Sequence, residues 1–138
     1  MSKFVTENLI KASKELNETS DRLNQPIIKL DEDLQKLNVG LSTWIAVEYR
    51  ELNELKGSWK LELGYAKVDS KWGIAIRETI NSPSGRDDNS WHFIGAPRAY
   101  RIAVIDKIPE LIEHLTKAAE KTTIKLQLVI AELEKRNE

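Results

Sequence analysis

The sequence predicts an α+β domain of the form α-ββββ-α, with long N- and C-terminal helices flanking a four-stranded antiparallel β-meander. Three observations carry that expectation. Leucine recurs every seven residues near the start, apolar residues alternate by four and three near the end, and strict apolar–polar alternation fills the middle. A chain of 138 residues fits one domain spanning 1–138. It divides into a helical arm at 1–38, a sheet at 39–96 and a helical segment at 97–138.

The first arm rests on Leu9, Leu16, Leu23, Leu30 and Leu37. Seven-residue spacing keeps one narrow seam on one side of a helix. Val5 and Ala12 widen the seam in the first half, and Ile27, Leu34 and Leu41 widen it in the second. Pro26 falls inside the pattern. Proline removes a backbone donor and crowds the preceding turn, so a kink or break is expected near Asn24–Gln25. Val39-Gly40 ends the helix.

The middle alternates with period two. Ile45, Val47 and Tyr49 mark one strand; Trp59, Leu61, Leu63 and Tyr65 mark the next; Trp72, Ile74, Ile76 and Ile80 mark a third. Asp69-Ser70 reads as a two-residue hairpin turn. That turn pairs Leu63 with Ile76, Tyr65 with Ile74, and Glu62 with Arg77, each a sensible cross-strand pair. The polar stretch 81–90 reads as a loop. Residues 90–95 then form a short fourth strand with Trp91 and Phe93 inward. Asp87-Asp88-Asn89 lacks the spacing, glycine and distal glutamate of a calcium loop and reads as a polar turn.

Pro97 opens a helical stretch over 96–107, although 101–105 also fits a fifth strand. The last helix carries Ile108, Ile112, Leu115, Ala119, Thr122, Leu126, Val129 and Leu133 along one seam. Pro109 sits near its start, where proline is tolerated and a kink is expected. The two long helices are expected to pair antiparallel, either with each other or with a second copy.

Composition removes several function classes. With no cysteine, thiol catalysis, disulfide scaffolds and cysteine-ligated metal are out. Two histidines on separate elements make a multi-histidine metal cage improbable, so the expectation is no metal and no cofactor. No catalytic residue is assigned, because no nucleophile elbow, phosphate loop, dinucleotide fingerprint or H-E-x-x-H is present. A net charge of −1 argues against nucleic acid, whose binding draws mostly on phosphate neutralisation. No export signal or membrane-spanning run is read, so a soluble cytoplasmic protein is the expectation.

Two groups of residues stand out as candidate sites. Parity places Trp44, Ala46, Arg50, Gly64, Ala66, Gly73, Ala75 and His92 on the outer sheet face, rimmed by Lys60, Glu62 and Arg77. Glycine in a strand marks the close approach of something else. Trp44, Arg50, Gly64, Gly73, Arg77 and His92 are therefore the candidate partner-binding set, with a covering helix as the plainer reading. Arg98 and Arg101 follow Pro97 at a helix start, and with Arg86 they form a candidate anion site. Salt bridges to Glu48, Asp106 or Glu110 are the plainer reading there. Glu62, Glu78, Glu110 and Glu113 read as solvated faces or first-turn residues.

The expected function is a non-enzymatic interaction protein, an oligomerising scaffold or adaptor whose partner is another protein or itself as a homodimer. Alternatives are single-stranded nucleic-acid binding on the sheet, and a small anionic ligand or an enzymatic site at Arg98, Arg101 and His92.

Overall fold

A computed structural model describes residues 1–54 and 56–137. The first helix, α1, spans Glu7–Leu37. Thr6 caps it, its hydroxyl accepting the Leu9 N–H at 3.1 Å, and Glu7 lies in the first turn where the helix dipole favours an acid. Asn38 ends it in the left-handed conformation, its N–H bonded to the Gln35 carbonyl.

Pro26 does not break this helix, contrary to the sequence expectation. Proline removes only the N–H that would reach the carbonyl of residue 22. Arg22 and Pro26 both lie on the exposed side, where water can take that carbonyl.

The sheet is a meander, β1 (Thr43–Leu52), β2 (Gly57–Val68), β3 (Lys71–Ser82) and β4 (Gly85–His92), in the order β1-β2-β3-β4. The β2–β3 register matches the expected pairs, with Leu63 opposite Ile76, Tyr65 opposite Ile74 and Glu62 opposite Arg77. Asp69 and Ser70 both take positive φ, 49° and 67°, as a two-residue turn between right-twisted strands requires.

Two parts of the sheet differ from the sequence reading. The polar stretch 81–90 is strand, not loop: β3 runs to Ser82, the chain turns at Pro83-Ser84, and β4 starts at Gly85. Asp87, Asp88 and Asn89 sit on an edge strand, where exposed charges discourage further pairing. Phe93 is buried as expected, but it belongs to a 3₁₀ turn, Phe93–Gly95. The second difference is a bulge in β1, where the pairing slips between Ala46 and Glu48. Period-two reasoning fails beyond such a slip, because each later side chain changes face.

Beyond the sheet come α2 (Arg98–Val104), a 3₁₀ turn at Ile105–Lys107 and α3 (Ile108–Arg136). The helical reading of 97–107 therefore holds over the fifth strand. Pro109 lies in the first turn of α3, where its missing N–H costs no helical bond, and a 3₁₀ turn at Ile105–Lys107 separates α3 from α2.

The core lies on one side of the sheet. Leu61, Leu63, Ile74 and Ile76 meet Ile27 and Leu34 of α1, Val104 of α2, and Leu111 and Leu115 of α3. α3 lies over β1 and β2, while α1 lies over β3 and the 3₁₀ turn at Phe93–Gly95. Each long helix thus occupies its own half of the sheet.

Both helices outrun it. α1 has 31 residues and α3 has 29, each roughly 45 Å long at about 1.5 Å per residue. Residues 6–19 and 123–137 are exposed throughout. The expected antiparallel pairing within the chain is not formed there. Its seam residues stand open, with Leu9 52%, Leu16 49%, Leu126 54% and Leu133 54% exposed. The physical reason is lateral: α1 turns one flank to α2, whose Arg98 and Arg101 bond Asn17 and Asn24.

Candidate functional site

The outer sheet face carries no helix of the described chain; its own side chains fill it. The Trp44 ring lies flat on Gly64, so that a Cβ at Gly64 would stand 2.3 Å from ring carbon Cε3 and 2.6 Å from the Thr43 carbonyl oxygen. The Arg77 guanidinium lies over that ring, 4.1 Å from its centroid. Arg77 also donates from Nε and Nη2 to Glu62 Oε1, at 3.0 and 2.9 Å, and Lys60 Nζ approaches the same oxygen at 3.7 Å. Glu62 is buried to 6% exposure, so it is not the solvated residue the sequence suggests. A buried carboxylate held by two cations is satisfied where it stands.

Arg50 does not belong to this face, contrary to the sequence reading. After the β1 bulge it pairs with Trp59 and lies over that ring at 4.2 Å, on the helix-covered side. Tyr49 takes the outward position, opposite Lys60.

Gly73 and His92 lie apart from the Trp44 stack, at the end of β3 that β4 no longer covers. The last β3–β4 pair is Ala75 with His92, leaving the edge groups of Trp72 and Ile74 open. α1 closes them. Asp31 Oδ1 accepts the Ile74 N–H at 2.7 Å, and Gln35 Nε2 donates to the Trp72 carbonyl at 3.3 Å. His92 Nε2 lies 2.8 Å from the Val68 carbonyl oxygen, so Nε2 carries the proton. Nδ1 then faces Gly73, where a Cβ would stand 3.0 Å from it and 3.4 Å from Asp31 Oδ2. A shallow cavity of about 300 Å³ opens here, with Asp31, Lys71, Trp72 and His92 among its walls.

Burial pushes the Asp31 carboxyl up, against the opposing pull of the Ile74 N–H and the charges of His92 and Lys71. A raised folded pKa makes a contribution that is full below the unfolded value and is lost as pH rises through the folded one. Asp31→Asn keeps an oxygen acceptor for Ile74 and removes the titration. We expect the stability gap between wild type and this variant to shift in the variant's favour as pH rises from 4 to 7. Thermal unfolding across that range checks it, and a gap independent of pH contradicts it.

The candidate anion site does not assemble. Arg86 lies on β4, 3.0 Å from Asp88 Oδ1. Arg98 Nη2 donates to Asn17 Oδ1 at 2.5 Å, and Arg101 Nη1 donates to Asn24 Oδ1 at 2.9 Å. Neither arginine pairs with Glu48, Asp106 or Glu110 among the described residues. They form a polar seam between α1 and α2, with Ser20 buried in the same row of α1.

Four participants are missed or misread in the sequence. Asp31 lies in the acidic run Asp31-Glu32-Asp33 and resembles a solvated helix face. Asn17 and Asn24 are seven residues apart on α1, as Arg98 and Arg101 are three apart on α2, but only the fold brings the two rows together. Glu78 is likewise no solvated residue. It accepts Trp59 Nε1–H at 2.8 Å and the Tyr100 hydroxyl, tying β2, β3 and α2 together on the helix-covered side.

Compared with known proteins, the chain matches no family model, no curated protein and no solved structure. No helix is long and apolar enough to cross a membrane among the described residues.

What remains unsatisfied is the pair of helical arms. On α1 the stripe of Leu9 and Leu16 continues the line of buried Ile27 and Leu34. On α3, Leu126, Val129 and Leu133 continue the line of buried Leu111 and Leu115. Each is a core-facing stripe that has run past its core. Both rows stand exposed along their helices, uncovered among the described residues.

Proposed function

We propose that the protein is an interaction scaffold that assembles through its two helical arms. The observation that carries this reading is the continuity of each arm's exposed stripe with the buried face of the same helix. Isolated helices of about 15 residues are marginal in water, so an uncovered arm would fray. A covering partner restores the burial that the sheet supplies further along.

The sheet-face alternatives have less support. Trp44 is already engaged by Gly64 and by Arg77, which a stacking base would have to displace. Arg98 and Arg101 are engaged by asparagines.

Amide hydrogen exchange tests the scaffold reading. Residues 7–19 and 123–136 should become protected as protein concentration rises or as cell extract is added. Arms that exchange at free-helix rates under every condition would refute it. Leu9→Glu with Leu16→Glu, on exposed positions, should leave the body folded and abolish any protection of the α1 arm.

A further inference from the structure

We infer that two copies of the chain pair through the α3 arm, antiparallel, about a two-fold axis crossing the seam between Leu126 and Val129. The inference rests on the scaffold reading and names the occupant of one arm. The seam across Thr122, Leu126, Val129 and Leu133 alternates by four and three, the spacing that packs helix against helix. Thr122 is half-buried, and every later seam residue is exposed. An isologous pair centred here sets Leu126 against Val129 of the second copy, and Leu133 against its Thr122.

The charges beside the seam select this arrangement. Lys125 precedes Leu126 and Glu132 precedes Leu133, so both lie on the same flank, seven residues apart and opposite in sign. Antiparallel pairing brings Lys125 of each copy to Glu132 of the other, twice by symmetry. A parallel in-register pair would set Lys125 beside Ile130 and Glu132 beside Asn137, with no ion pair gained. Glu132 is 57% exposed even with Arg136 bonded to it at 3.1 Å, so its carboxylate has room for a second cation. Lys125 has no acidic partner among the described residues. A net charge of −1 puts no long-range repulsion between copies. The flank is therefore complementary to itself, which a surface evolved for an unrelated partner has no reason to be.

Light scattering after size exclusion, over a range of concentrations, tests the inference on the full chain. The expected mass is twice 15.8 kDa. Leu126→Glu with Leu133→Glu should weaken the dimer by about 100-fold or more, because two apolar side chains per copy lose their burial. Lys125→Glu alone and Glu132→Lys alone should each weaken it by about fivefold, since each creates two like-charge contacts. The double variant Lys125→Glu with Glu132→Lys should restore the dimer. Every substituted position is exposed, so the sheet and the docked parts of the helices should stay folded in all of them, and helical signal should fall only as far as the freed arms fray where the dimer is lost.

A monomer at all concentrations overturns the inference. The scaffold reading then stands or falls on whether the arms are protected in cell extract. A dimer that ignores the leucine substitutions also overturns it, and places self-association elsewhere. A dimer weakened by both charge variants but not rescued by their combination overturns the antiparallel register.

Discussion

Replacing Gly64 with alanine is expected to destabilise the fold by about 3 kcal/mol, near the upper end of overpacking effects. The added methyl would meet Trp44 Cε3 at 2.3 Å and the Thr43 carbonyl oxygen at 2.6 Å. The ring is a rigid plane and the carbonyl belongs to the neighbouring strand, so neither can yield by a simple rotamer change. If the ring lifts, Arg77 loses the face it covers at 4.1 Å, and Glu62 loses shielding from water. The loss should appear in urea unfolding. A shift of the tryptophan emission should report Trp44 moving into solvent. A variant within about 0.5 kcal/mol of wild type, the range of ordinary surface changes, would contradict this account. Trp44→Ala combined with Gly64→Ala separates the two contacts. With the ring gone, only the Thr43 clash remains, so the glycine substitution should do less harm than it does alone.

Gly64 also shows how far sequence reasoning reaches here. The element types and the β2–β3 register follow from period-two alternation and one turn, because a slip of one residue would invert every buried side chain of β2. The same logic singles out Gly64 and Gly73 as sites of close approach, and both are. It cannot tell what approaches. At Gly64 it is Trp44 from the adjacent strand; at Gly73 it is His92 with Asp31 from a helix about forty residues earlier. Arg50 fails for a different reason. A bulge is one extra residue in a strand, invisible to periodicity, and it moves everything beyond it to the other face. Pro26 does not end the helix, because a proline's effect depends on whether water can reach the freed carbonyl, which is a matter of tertiary exposure. The seams were legible as seams. Their distal halves lie beyond the sheet because α1 and α3 dock on different strands, and no heptad pattern encodes that offset.

Removing the Glu78 carboxylate, as Glu78→Ala, is expected to lower stability by about 2–3 kcal/mol at neutral pH. Two donors, on buried Trp59 and half-buried Tyr100, lose their acceptor, each worth about 1 kcal/mol or more because the acceptor is charged. Trp59 Nε1–H loses its 2.8 Å bond, and the Tyr100 hydroxyl loses the tie that fixes α2 to β3. Tyr100 also packs against Trp59 and Trp91, with ring centroids 6.3 and 5.9 Å apart, so freeing it loosens both aromatic contacts. The pH dependence carries a second signature. Burial pushes the Glu78 carboxyl up, but bonds from Trp59, Tyr100 and Asn89 together outweigh it and hold the group below its ordinary value of 4.5. A lowered folded pKa gives stability that is present above the unfolded value and lost as pH falls through the folded one. The gap between wild type and Glu78→Ala should therefore be widest near neutral pH and shrink in acid below 4.5, opposite in sense to Asp31. At the alkaline end, acceptance by Glu78 raises the Tyr100 hydroxyl above its ordinary value of 10.0, with burial adding to the shift. Without Glu78, tyrosinate absorbance should appear at lower pH than in wild type. Glu78→Gln retains an oxygen acceptor without the charge and should fall between the two. If Glu78→Ala matches wild type in urea at pH 7 and leaves the tyrosine titration unmoved, Glu78 does not tie α2 to the sheet.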